Sequence, residues 1–224
     1  MKTGMKILWA ACLLAGLHTG LRAQEPQLGG IPADVYYLLP AFQTGLVYLA
    51  GQGPAQGELN ICAIDNTLRF KDQDGKELVA SEPDKIISVV VGDNYFIRNN
   101  GAFYRRLLVS GDIGIAVKRQ VVVRTDVKRG AYGMEDQTSS IREYSTLIAE
   151  GVSFKLNENK EYPYTVDETL FLCRGNSVIP LTKRNLRKFF PDRKDEIDAW
   201  FKAGNDIPET IGELSELLAR WSAE

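Results

Sequence analysis

From Val35 to about Val127 the apolar positions come in short runs, broken every eight to twelve residues by glycine, proline, aspartate or asparagine. That rhythm predicts short antiparallel strands joined by tight turns, because period-two segments bounded by turn residues fit a half-buried pleated sheet. Gly45 to Leu49 reads as a strand, Gly51-Gln52-Gly53-Pro54 as its turn and Gly57 to Ile64 as the return. Leu68 to Lys71 and Glu77 to Ala80 flank Asp72-Gln73-Asp74-Gly75, a hairpin signal. Ile86 to Val91 meets Tyr95 to Arg98 across Gly92-Asp93-Asn94, and Phe103 to Val109 meets Ile113 to Val123 across Ser110-Gly111-Asp112. Lys128 to Ser140 is too poor in apolar residues for a strand and reads as a long exposed loop. Leu147 to Leu156, Thr169 to Cys173 and Ser177 to Pro180 resume the strand pattern.

After Pro180 the apolar period becomes helical. Thr182 is placed to cap a helix ending at Phe190, Asp192 to cap a second over Arg193 to Ala203, and Pro208 to open a third. In the third, Ile211, Leu214, Leu217, Leu218 and Trp221 form one apolar stripe that needs cover, and the strand-rich part is its nearest source. The expected fold is therefore α+β: an antiparallel β meander or small barrel over 35–180, followed by a C-terminal helical segment over 181–224 that packs on or beside it. Gln24 to Asp34, polar and holding two prolines and a Gly-Gly pair, is expected to be a flexible lead-in.

The amino terminus changes the chemical options. Met1 to Lys6 is short and basic, Ile7 to Leu17 is apolar or small, and Leu21-Arg22-Ala23 suits a peptidase, so 1–23 reads as an export signal cut between Ala23 and Gln24. The apolar run is too short to span a bilayer, and no later run approaches that length. Cys12 after Trp9-Ala10-Ala11 fits a lipid attachment site poorly, since cutting there leaves apolar residues behind. The chain's one histidine, His18, goes with the leader, taking imidazole catalysis, imidazole metal ligation and histidine pH switching with it. Losing Lys2, Lys6 and Arg22 from 27 basic residues leaves 24 against 29 acidic ones, a net charge of −5, which disfavours nucleic acid as a partner. The charge is uneven, basic over Arg105 to Arg129 and acidic over Asp192 to Glu224. No Asn-x-Ser/Thr acceptor occurs, in keeping with a bacterial origin.

Cys62 and Cys173 would remain in an oxidising compartment. Two readings stand side by side. A disulfide would close a loop of about 110 residues and stabilise the fold by roughly 4 to 5 kcal/mol; alternatively each thiol is a small buried apolar group, as the runs around them suggest.

Motifs that carry chemistry are weak. Gly51-Gln52-Gly53 joins two strands and opens no helix, so it lacks the N-terminus a phosphate cradle needs. Asp72-Gln73-Asp74-Gly75 begins like a calcium loop but has Lys76 and Pro83 where ligands belong. Cys62 has no basic neighbour in sequence, and the serines show neither a Gly-x-Ser-x-Gly elbow nor a Ser-x-x-Lys pair. No catalytic, cofactor-binding or metal residue is assigned. The loop Lys128 to Gly133 offers Arg129 and Tyr132 as contact anchors, against the plainer reading of a connector. Lys183, Arg184, Arg187 and Lys188 read as a solvated helix face beside the acidic tail.

Three stretches carry a resemblance: Thr44-Gly45-Leu46-Val47-Tyr48 running into Gly57-Glu58-Leu59-Asn60, Gly130-Ala131-Tyr132-Gly133 with Thr138-Ser139-Ser140-Ile141, and Leu186-Arg187-Lys188-Phe189-Phe190-Pro191 with Lys194-Asp195-Glu196-Ile197. The chain resembles an uncharacterised family of exported β-rich proteins of Gram-negative anaerobic gut and environmental bacteria. The resemblance implies a β-rich body, a helical tail and residence in the periplasm or cell envelope, and it carries over no site residue. The leading functional expectation is a non-enzymatic binding or envelope-associated module whose partner is another envelope protein or a glycan. The alternatives are a small carboxylate-dependent glycan hydrolase and a folding or assembly factor.

Overall fold

The computed structural model describes residues 30–124 and 161–223. Ten strands form one open antiparallel sheet: β1 (Gln43–Leu49), β2 (Ala55–Ile61), β3 (Leu68–Lys71), β4 (Glu77–Val79), β5 (Ile86–Val91), β6 (Asn94–Asn99), β7 (Ala102–Ser110), β8 (Ile113–Val123), β9 (Tyr164–Arg174) and β10 (Ser177–Pro180). Their order across the sheet is β10-β9-β8-β7-β6-β5-β1-β2-β3-β4. All neighbours but one are also consecutive in sequence, so the arrangement is a meander with β1 inserted between β5 and β2. The sheet is a meander and not a closed barrel. The predicted loop at Lys128 to Ser140 and the predicted strand at Leu147 to Leu156 lie outside the described residues.

Alternation along the long strands sorts side chains onto two faces. Phe103, Leu107 and Val109 of β7, Ile115 and Val117 of β8, and Leu170 and Leu172 of β9 share one face. Three helices cover it: α2 (Lys183–Phe189), α3 (Lys194–Lys202) and α4 (Ile211–Ser222). α4 lies on β7 and β8 and buries Leu214, Leu217, Leu218 and Trp221, with Ile211 at the margin. These join Leu186, Phe189, Phe190 and Ile197 in one cluster. The stripe therefore finds its cover on the sheet, as its periodicity requires.

The caps are partly as expected. The Thr182 hydroxyl accepts from Asn185 N, closing the first turn of α2. Asp192 is not a cap: it sits in a single 3-10 turn, Pro191–Arg193, and α3 begins one residue later without a side-chain cap. Pro208 does not open the last helix either. It is buried in the preceding turn, and Thr210 caps α4 by accepting from Glu213 N.

The segment before β1 corrects another expectation. Ile31, placed by composition in a flexible lead-in, is wholly buried, and a short helix α1 (Ala33–Tyr36) follows it. Two contacts fold the sheet over this segment. Val121 N donates to Ala63 O at 2.9 Å, and Ala63 N donates to Tyr36 O at 2.8 Å. Ile31, Cys62, Ala63, Ile64, Val121, Val123 and Tyr162 then form one apolar cluster. Asn60, fully buried, replaces a missing strand partner: its amide bonds both the N–H and the carbonyl of Leu39. Among the described residues, no helix is long and apolar enough to cross a membrane.

Candidate functional site

The residues singled out from sequence are scattered. Cys62 and Cys173 are free thiols, both wholly buried, and no bridge joins them in this structure. Cys62 belongs to the cluster beneath α1, while Cys173 packs with Ile97, Ala102, Tyr104, Ala116 and Val178 on the other face of the sheet. Burial pushes the Cys62 thiol up to about 12 and the Cys173 thiol up to about 11, so neither is held as a nucleophilic thiolate at neutral pH. Asp72 spends a carboxylate oxygen on the backbone N–H groups of Asp74 and Lys76, which closes the hairpin. In the basic cluster of α2, Lys183 and Arg187 reach Asp198 of α3 at 3.0 and 3.5 Å. The Lys183 hydrogen bond, with Arg187 beside it, holds the Asp198 carboxyl below its ordinary range. Ala23, Gln24, Arg129 and Tyr132 lie outside the described residues.

Around Cys62 runs a polar network that sequence reading did not pick out. Tyr37 donates to Glu77 at 2.6 Å, and Arg69 reaches Glu77 at 3.7 Å, Asp65 and the Thr67 hydroxyl. It ties β3 and β4 to the segment before β1, so its work is structural.

Two concavities are lined by described residues. The larger, about 590 Å³, lies in the tail between Trp200 of α3, the turn Asn205 to Thr210 and one side of α4. Its apolar lining is Trp200, Ile207, Pro208 and Leu217, of which Pro208 and Leu217 are buried and Ile207 is exposed. Its rim carries Asp206, Glu209, Glu213 and Glu216 against one cation, Arg220. Helix geometry explains part of the grouping, since Glu213, Glu216, Leu217 and Arg220 recur at three- and four-residue spacing on one side of α4, while Asp206 and Glu209 come from the turn before it. Trp200 is fixed by an edge-to-face contact with Trp221 at 6.0 Å, and Asn205 donates to the Trp200 carbonyl at 2.6 Å. All four carboxylates are exposed.

The smaller, about 90 Å³, opens on the helix-covered face of the sheet, lined by Leu38, Phe96, Arg105, Val117, Arg119 and Glu168. Register assembles it: Phe96 pairs with Arg105 and Arg105 with Val117, while Arg119 pairs with Glu168 one step along. Arg119 is 3.9 Å from Glu168 and donates to Asp34 O at 3.3 Å. Arg105 has no ion pair or hydrogen bond among the described residues. The signal available in sequence was parity: Arg105 and Arg119 fall on the apolar beat of their strands.

No family model, no curated protein and no solved structure matches this chain.

Proposed function

We propose that this chain is a non-enzymatic binding module, working outside the cytosol in the periplasm or envelope of a Gram-negative bacterium after loss of its leader. Its partner is an envelope protein that presents basic side chains to the tail groove. The observation that carries this reading is the groove itself, in which Trp200, Pro208 and Leu217 lie beside four exposed carboxylates. Such a surface suits a partial-charge match, with Lys or Arg stems lying on the apolar lining and their heads meeting the carboxylates. A tryptophan in a groove is also the kind of anchor that concentrates binding energy.

The same carboxylates bear on glycan hydrolysis. A glycosidase needs one carboxyl kept protonated by dehydrated surroundings beside a second that stays ionised. Asp206, Glu209, Glu213 and Glu216 are all exposed, so none of them lies in dehydrated surroundings. Glu213 also has a helix-starting role at the third position of α4. The thiols, buried and raised, do not supply a nucleophile in its place.

The test is capture from an envelope extract by the native chain and by a Glu209→Lys, Glu216→Lys variant. The reading expects a specific partner held by the native chain, released as salt rises and not held by the variant. Equal capture by both proteins contradicts it, as does turnover on a polysaccharide panel that is lost on Glu→Gln substitution in the groove.

A further inference from the structure

We infer that the pocket between the segment before β1 and strands β6 to β9 receives a small oxyanion head group, a carboxylate or a phosphate. This site is separate from the tail groove and does not depend on the function proposed for it. Phe96 and Val117, nearly fully buried, flank it, Arg98 of the same face is stacked on Phe103 and donates to Asn66 O, and the helical tail covers the rows beyond. Onto this face two neighbouring strands deliver two guanidinium groups, Arg105 from β7 and Arg119 from β8.

One carboxylate does not balance them. Glu168 stands opposite Arg119, but at 3.9 Å, and its side chain is 53% exposed against 27% for that of Arg119. The other fixed bond to Arg119 uses a backbone carbonyl, which carries no full charge. Arg105 is left beside Leu38, Phe96 and Val117 with no ion pair or hydrogen bond among the described residues. A partly desolvated cation is costly unless an anion meets it, and two on adjacent strands repel each other. Each guanidinium is a planar fork matched to two oxygens of one group. An oxyanion between them would relieve both costs.

Size narrows the occupant. The cavity, about 90 Å³, has room for one carboxylate or phosphate group. Leu38, partly exposed, offers an apolar contact to an oxyanion borne on an organic body that projects outward.

The test follows the side-chain Nε–H resonances of Arg105 and Arg119 while sodium phosphate or sodium acetate is added, against sodium chloride at equal ionic strength. The inference expects saturable shifts at both arginines with phosphate or acetate and none with chloride. The salt that saturates at the lower concentration identifies the head group. Arg105→Gln is expected to weaken binding about tenfold, as loss of a charge-assisted pair does. Glu168→Gln is expected to tighten it several-fold, because it removes the competing carboxylate. A purely structural role for the arginines predicts no such gain. Shifts matched by chloride, or binding unchanged or weakened in Glu168→Gln, overturn the inference. Should Arg105→Gln fail to fold, the native chain and Glu168→Gln decide alone.

Discussion

Gly114 shows how tightly one residue can be constrained in this sheet. A Cβ built there would sit 2.3 Å from Leu107 O and 3.2 Å from Cys173 Sγ, so any side chain forces two strands apart. Gly114→Ala is expected to destabilise the fold by about 1 to 3 kcal/mol, read as a lower urea midpoint at unchanged slope. The two buried thiols make a second prediction. Their folded values, about 12 for Cys62 and about 11 for Cys173, lie above the ordinary 9.0. Between those limits the folded state binds more protons than the unfolded one, so stability is full below pH 9 and falls as pH climbs toward 11 and 12. Denaturant melts at pH 8 and pH 10.5 should show that loss, and a Cys62→Ala, Cys173→Ala variant should show less of it.

At the scale of elements, turn chemistry was the clearest signal in the sequence. Ile86–Val91 and Ile113–Val123 match the expected strands end for end, because Gly92, Gly101 and Gly111 with positive φ mark where the chain reverses. β9 was half read. It begins at Tyr164, five residues before the expected start, because Thr165 to Glu168 are exposed and polar apart from Val166 and gain strand character only by pairing with β8. The helix starts were misplaced where two capping candidates stood close together. Pro208 and Thr210 both suit the start of α4, and only the hydroxyl bond to Glu213 N decides between them. The α4 stripe was legible and its burial is near complete, so Leu218→Ala should cost about 2 to 5 kcal/mol in denaturant melts. Ala219→Gly, at an exposed position on the same helix, should cost about 1 kcal/mol through propensity alone.

Across the whole molecule, the α+β order of a meander followed by helices was readable because both periods are strong. The sites were not. Arg105, Arg119 and Glu168 are far apart in sequence and meet only through the register of three strands, which no local pattern encodes. The tail groove likewise needs α3 and α4 to cross at Trp200 and Trp221 before its carboxylates share a rim. The tail groove, where Trp200 lies beside the exposed Glu209, Glu213 and Glu216, is the surface at which we propose that this chain meets a partner. The most direct measurement of that claim is a titration of the protein with a lysine- and arginine-rich peptide interleaved with leucine, following the Trp200 indole N–H resonance. The account predicts a saturable shift of Trp200, not of Trp221, that weakens with salt and is lost in Glu209→Lys, Glu216→Lys. A Trp200 resonance that stays put, or a shift equal in the charge-reversed variant, would contradict it.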